Sequence, residues 1–419
     1  MDRMTTPRLY WLVAIGLVVL GAVAGAAAVG EVRGRGATIG DIAEVSGPIS
    51  VDAQTLYRAL ADADATAATG FLAADGESAE LRGRYLDDIA KATAALTVAL
   101  RDADDADADR LRVVADQLPV YTGLIETARS NQRLGVPLGG AYLREASGLM
   151  QQTILPAAAA VFDRTNRLLT VEHRAASAVP WAALLLTLLT GAALVAAQVL
   201  LSRRSRRTFN RGLLAASLVT VLALLWSGLA LHASGRHLDT GEQDGAELVR
   251  LLANAGRASL QARANESLTL VARGGGTGFE ATFAAQMDEL IGRNGRSGLF
   301  ARAIVQAPFT DRQLIDEARD EAVRWRELHV QVRSADDGGD WDRAVELATE
   351  PGENGLTAVF GRLDAALSRA LDIGNDRVER QAARAGGSLT GLTAGLVLLT
   401  GGLVAGVVFG FRPRIGEYR

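Results

Sequence analysis

Residues 178–201 read AVPWAALLLTLLTGAALVAAQVLL, residues 202–211 read SRRSRRTFNR, and residues 212–233 read GLLAASLVTVLALLWSGLALHA. The outer two pieces carry no Asp, Glu, Lys or Arg. About 20 residues of helix, rising 1.5 Å each, cross the hydrocarbon core of a bilayer. Both pieces are long enough, and the short loop between them forces them to be neighbours. The stretch therefore predicts a membrane hairpin. Arginine is costly to translocate, so Arg203, Arg204, Arg206 and Arg207 are expected on the cytoplasmic side.

Working outward, a short basic start (residues 1–8) precedes a third uncharged run over residues 9–30. An Ala-x-Ala at Ala26–Ala28 would suit a signal peptidase, but a run of this length exceeds the usual apolar core of a cleaved signal. It is read as an uncleaved anchor. A fourth run covers residues 388–411, and RPRIGEYR follows at 412–419. Four spans put both termini inside, in a multi-pass protein of the cell membrane.

The charge balance agrees with that topology. Residues 31–177 hold 21 Asp/Glu against 15 Lys/Arg, and residues 233–387 hold 25 against 19, so each long segment nets −6. The remaining short pieces hold 10 Arg and 2 acids, or +8; the sum, −12 + 8, is the chain's −4. Positive loop and ends with acidic long segments is the positive-inside pattern. The chain has no cysteine, which excludes disulfides and thiolate metal sites, so the long segments must be held by packing.

Both long segments read as helical, being rich in Ala, Leu, Arg, Glu and Asp and poor in Pro. Breaks at Ala74–Ser78, Asp102–Asp107 and Leu134–Gly140 divide residues 31–177 into four helices, an up-down-up-down bundle. The last helix carries an apolar stripe through Leu155, Ala158, Ala159, Phe162 and Leu169. Residues 234–387 follow a similar plan, broken at Gly274–Gly278, Ala335–Asp340 and Glu350–Gly355. The first and last outer helices are expected to run directly into the spans.

The halves align at a nearly fixed offset. AVFDRTNRLL at Ala160–Leu169 meets AVFGRLDAAL at Ala358–Leu367, shifted by 198, and Arg58-Ala59 meets Arg257-Ala258, shifted by 199. Tyr121 with Leu124 meets Trp325 with Leu328, shifted by 204. The order of elements reads as tandem duplication of one unit: span, bundle, span. The fold class is thus an all-α membrane protein with four transmembrane helices and two extracytoplasmic four-helix bundles.

Chemistry is sparse. The acidic run Asp102–Asp109 lacks the Gly and terminal Glu of an EF-hand loop and reads as a capped turn. His173, His232, His237 and His329 show no HExxH spacing and no evident carboxylate partner. GGGTG lacks a P-loop's Gly-Lys-Ser/Thr ending, there is no kinase motif set, and the cytoplasmic pieces are too short for a catalytic domain. No enzyme, cofactor, metal or nucleic-acid role is expected. Glycines at Gly21 and Gly25, at Gly391 and Gly395, and at Gly402 and Gly406 recur every four residues, a spacing that lets membrane helices approach closely, within the chain or in a homodimer. Arg203, Arg204, Arg206 and Arg207, with Arg412, Arg414 and Tyr418, form a cytoplasmic surface for anionic lipid or a partner. The loops containing Gly135, Gly139, Gly274, Gly275 and Gly276 are candidate extracytoplasmic docking points.

This layout, with DADATAATGFLA at Asp62–Ala73 and the terminal EYR at Glu417–Arg419, resembles the actinobacterial GlnX-type membrane proteins. The resemblance implies a non-enzymatic relay between an extracytoplasmic glutamate/aspartate-binding lipoprotein and the soluble serine/threonine kinase G. Two other classes fit the layout: a direct small-molecule sensor of the chemoreceptor kind, and a structural subunit of an envelope complex. Direct sensing requires convergent polar groups between bundle helices, whereas the interior positions read as Ala- and Leu-rich.

Overall fold

The computed structural model describes residues 6–42, 47–73, 77–205, 210–240, 245–350, 352–387, 389 and 391–416. It is helical throughout, with no strand among the described residues. The chain divides into two compact units, one of residues 45–170 with 241–379 and one of residues 1–44, 171–240 and 380–419.

In the first of these, α2 (Gly47–Leu72), α3 (Ala79–Asp102), α4 (Asp105–Arg133), α5 (Leu138–Leu149) and α6 (Leu155–Ser177) come from the N-terminal half, preceded in the chain by α1 (Thr6–Asp41). Ser78 caps α3 by accepting from the Leu81 amide, and Asp104 caps α4 by accepting from Asp107. The acidic run is therefore a helix start, and Asp104 also pairs with Arg164. Pro156 has no N–H for the carbonyl four residues back, and the chain before it widens into a π turn over Met150–Ile154. The C-terminal half supplies α9 (Glu247–Val271), α10 (Thr277–Ile291), α11 (Gly298–Gln306), α12 (Phe309–Asp337), α13 (Trp341–Thr349) and α14 (Leu356–Gly387). They follow α7 (Trp181–Ser205) and α8 (Arg211–Thr240) and precede α15 (Leu392–Gly416).

Both bundles pack into this one unit. The central helices α2 and α9 lie against each other, and a single apolar core runs from Leu56, Leu60 and Tyr121 to Leu268, Trp325 and Leu363. Each central helix is buried on every side over its C-terminal half, through Ala63–Gly70 in α2 and Ala262–Leu270 in α9. A helix with no solvent face cannot show an amphipathic stripe, and these two also carry polar residues inside. The Ala- and Leu-rich interior expected from sequence is corrected here: Asp64, Thr66, Thr69, Arg263, Asn265, Glu266, Ser267 and Thr269 are all buried.

The other unit contains α1, α7, α8 and α15. Four stretches are long and apolar enough to cross a membrane, with mean hydropathies of 2.6, 2.3, 2.1 and 2.2 in chain order. Gly21 and Gly25 stand where α1 meets α15; a Cβ on either would collide with Leu403 or Thr400. Gly395 and Gly406 stand where α15 meets α8, Gly406 within 2.9 Å of the Gly212 carbonyl if given a Cβ. A Cβ on Gly402 would fit in ordinary contact with Val219 of α8, and one on Gly391 would meet nothing within 4 Å; the φ of +78° at Gly391 turns the chain into α15. The expected continuity into the spans is corrected for the last helix of each half, while for the first helices the junctions include residues 43–46 and 241–244, outside the described residues. α6 ends at Ser177 and α7 begins at Trp181, after Pro180, while α14 ends at Gly387 and α15 begins at Leu392, after Gly391.

Candidate functional site

The glycine loops named from sequence are explained first by backbone geometry. Gly135 and Gly274 have positive φ (+69° and +88°). A Cβ on Gly139 would lie 2.9 Å from the Ala128 carbonyl, one on Gly276 2.7 Å from the Thr269 carbonyl, and one on Gly275 3.3 Å from the Ala272 carbonyl. The fold nevertheless brings these loops together. Gly140 lies against Val271 at the end of α9, and Trp341 donates to the Leu270 carbonyl (2.9 Å) while Arg273 covers its ring. Beside them Leu134, Val136 and Leu138 are exposed, Leu134 by 74%. Of the neighbouring Ala74–Ser78 loop, residues 74–76 lie outside the described residues.

A second feature was invisible to sequence spacing. Each central helix buries one acid beneath the large aromatic of another long helix. In the N-terminal half Asp64 accepts from Ser147 (2.8 Å), Gln151 (3.3 Å) and Tyr121 (3.4 Å), with no cation on it. Burial drives its pKa up to about 6, against the opposing pull of those donors. In the C-terminal half Glu266 accepts from Trp325 Nε1 (3.1 Å) and pairs with Arg263 (2.6 Å) and His329 Nδ1 (2.8 Å). Burial would raise it, but the His329 and Arg263 contacts outweigh burial and hold it below the usual carboxylate range. The other ring nitrogen of His329 faces Glu280 at 3.1 Å. Burial alone would lower the imidazole, yet the two glutamates raise it to about 9, so it is a cation at neutral pH. His329 does have close carboxylate partners, supplied by α9 and α10, which no spacing along α12 could reveal. The side chains of His173, His232 and His237 lie outside the description.

Third, a groove of about 580 Å³ opens between α6 of the N-terminal half and α9 and α10 of the C-terminal half. α6 contributes Asp163, Asn166 and Arg167; α9 contributes Arg250, Arg257 and Gln261; α10 contributes Glu289. Arg257 lies over Tyr57 and Phe162 and 3.6 Å from Asp163. Gln261 donates to the Tyr57 hydroxyl (2.7 Å) and accepts from Gln286 (3.1 Å). A second groove, about 540 Å³, is lined by α2, α3 and Asp364 of α14. There Arg58 pairs with Asp364 (2.6 Å) and Arg84 with Asp62 (3.2 Å), while Asp88 is buried with Oδ2 unpartnered.

On the basic surface, Arg203 and Arg412 are exposed. Only the backbone is described for Arg204 and Arg414, and Arg206, Arg207 and Tyr418 lie outside the described residues.

Residues 38–174 match the family model of an actinobacterial sensor domain. That is about a third of the chain, covering α2 to α6 with their immediate flanks. No curated protein and no solved structure matches the chain. The chain thus combines a sensor-domain match with four helices long and apolar enough to cross a membrane.

Proposed function

We propose that the protein is a non-enzymatic transmembrane relay of the GlnX type. An extracytoplasmic glutamate/aspartate-binding lipoprotein delivers the signal to the bundles, and the cytoplasmic arginines pass it to a serine/threonine kinase. In this reading the Arg203–Arg207 loop and both termini face the cytoplasm. The observation that carries it is the apolar end surface: Leu134, Val136 and Leu138 stand exposed on the half that matches a sensor domain, beside the α9 turn of the other half. A partner seated there touches both halves at once, and so favours one packing of α2 on α9 over another.

The glycines of these loops are poor probes, because replacing them strains the backbone itself. Leu134→Glu with Leu138→Glu changes the surface and leaves the core intact. Crosslinking in native membranes is expected to recover a solute-binding lipoprotein with the wild-type chain and at least about tenfold less with the double variant. A kinase should co-purify through the arginine loop and be lost when Arg203, Arg204, Arg206 and Arg207 become Gln. Recovery of envelope-complex subunits with neither partner would instead support the structural reading. Undiminished lipoprotein capture by L134E/L138E would refute docking at this end.

A further inference from the structure

The two grooves of the bundle unit occupy counterpart places, and their chemistry differs at three corresponding positions. With the offset of 198 or 199 that relates the halves, Asp62 corresponds to Gln261 (62 + 199), Asp88 to Gln286 (88 + 198) and Asn166 to Asp364 (166 + 198). Three of the carboxylates around the acidic groove thus have amide counterparts. Asn166 and Gln261 line the other groove and Gln286 stands behind Gln261, while Glu80 and Asp87 on one side and Asp163 and Glu289 on the other are not part of the exchange. Arg58 and Arg257 correspond as well (58 + 199), so both grooves keep that cation. In the acidic groove Arg58 and Arg84 are consumed by Asp364 and Asp62. In the amide groove Arg257 stacks on Tyr57 and Phe162, touches Asn254 and has a looser ion pair, at 3.6 Å, with Asp163.

The amide groove is left with donors that nothing among the described residues answers. Asn166 is held by its oxygen, which accepts from Ser50 (3.1 Å), and its Nδ2 is buried without a partner. A buried amide N–H₂ with no acceptor is costly, and an occupant supplying an acceptor oxygen removes the cost. Arg167 lines the same groove with no ion-pair or hydrogen-bond partner among the described residues. The Tyr57 hydroxyl accepts from Gln261 and keeps its own proton to donate. Burial lifts its pKa to about 12, so it stays protonated.

We propose that this groove, formed by α6, α9 and α10, is a binding site for a small solute bearing a carboxylate. Arg167 and Arg257 supply the planar forks that suit a carboxylate, and Asn166 and Tyr57 supply neutral donors. Glu289, with no ion-pair or hydrogen-bond partner for its carboxylate among the described residues, is placed to take an ammonium where the solute carries one. The volume of about 580 Å³ falls in the range of roughly 300–1,000 Å³ usual for small-ligand sites. A bound carboxylate joins α6 of one half to α9 of the other. From Gln261 the Gln286 amide accepts in turn from Asn265 (3.4 Å), the neighbour of Glu266 in α9. The hydrogen-bond chain leading from the groove therefore ends one residue before Glu266 in α9. It is separate from the end surface proposed for the lipoprotein.

Titration calorimetry on the purified full-length protein in nanodiscs, without any lipoprotein, tests the site with three probes: succinate, L-glutamate and putrescine. Binding of succinate, L-glutamate or both is expected, with none of putrescine. Preference for L-glutamate identifies Glu289 as the ammonium partner, and Glu289→Gln should then abolish the preference. Arg167→Gln, on an exposed partnerless residue, should weaken binding about tenfold or more, as for loss of a hydrogen bond to a charged group. Arg84→Gln, in the acidic groove, should leave affinity unchanged. Arg257→Gln should act like Arg167→Gln; if it fails to fold, the Arg167 result alone decides. The proposal is overturned if neither carboxylate probe binds, if putrescine alone binds, or if Arg84→Gln weakens binding as much as Arg167→Gln.

Discussion

Asp64 and Glu266 are two solutions to one problem. Both lie inside a central helix at 1% exposure, and both accept a hydrogen bond from a wholly buried aromatic, Tyr121 or Trp325. Around Asp64 the chain places only neutral donors, and the acid responds by holding its proton up to about pH 6. Around Glu266 it places Arg263 and a protonated His329, and the acid stays ionised. A buried carboxylate persists either by giving up its charge easily or by having that charge matched. Near neutral pH the first is a site of stored tension and the second is a rigid knot.

The same carboxylate-to-amide change should therefore have opposite signs in the two halves. Glu266→Gln leaves Arg263 buried without its carboxylate and His329 with Glu280 alone, and should destabilise the protein by about 3–5 kcal/mol. The comparison predicts a pH signature too. His329 is raised above its ordinary 6.5 to about 9. Its contribution is present in full below pH 6.5 and is lost as pH rises through 9. Thermal unfolding followed by circular dichroism should show wild-type stability falling across that window. E266Q should show a flatter profile; an equally steep one would mean that Glu266 does not hold the proton on His329.

Asp64→Asn should act in the other direction. Because Asp64 is raised from 3.8 to about 6, the stability it lends is complete below 3.8 and lost as pH rises through 6. Asparagine keeps acceptors and carries no charge. The variant should match wild type near pH 4 and exceed it by about 1–3 kcal/mol at pH 8. A destabilised D64N at pH 8 would show that the N-terminal half answers the charge by means other than its three donors.

The smallest effects separate the aromatics. Trp325→Phe removes an N–H aimed at an ionised acid and should cost about 1.5–3 kcal/mol, whereas Tyr121→Phe removes a longer bond, 3.4 Å, to an acid that readily protonates and should cost about 0.5–1.5 kcal/mol. Equal costs, measured in parallel melts, would erase the distinction between the two acids.

Much of the architecture was readable from sequence because it rests on local signals. Uncharged runs of 22 residues or more located the apolar helices, and the acidic and glycine-rich breaks fell within a few residues of the helix ends. The short α11 escaped notice, having too few turns to show a period. Helix continuity at the spans was over-read, since Pro180 and Gly391 are single residues whose backbone demands outweigh the apolar pattern on either side. The polar interior was hidden for another reason. In α2 and α9 both faces are buried, so Asp64 and Glu266 sit at positions that sequence alone assigns to solvent. Only a three-dimensional neighbour such as His329, 63 residues away, gives such a position its meaning.

One small contact carries a historical consequence. Thr69 and Ser267 share a buried hydrogen bond of 3.2 Å, and they are 198 residues apart, the shift that aligns the AVF segments of the two halves. When corresponding positions touch, the surface that joins the halves is self-complementary, as in a two-fold homodimer. If the halves descend from one unit, that unit paired with its own copy through the surface now shared by α2 and α9. Fusion into one chain then made the pairing independent of concentration and gave each half its own sequence to change. An ancestral pair had to place identical acids on both sides of its axis; the fused chain was free to keep carboxylates in one groove and trade them for amides in the other.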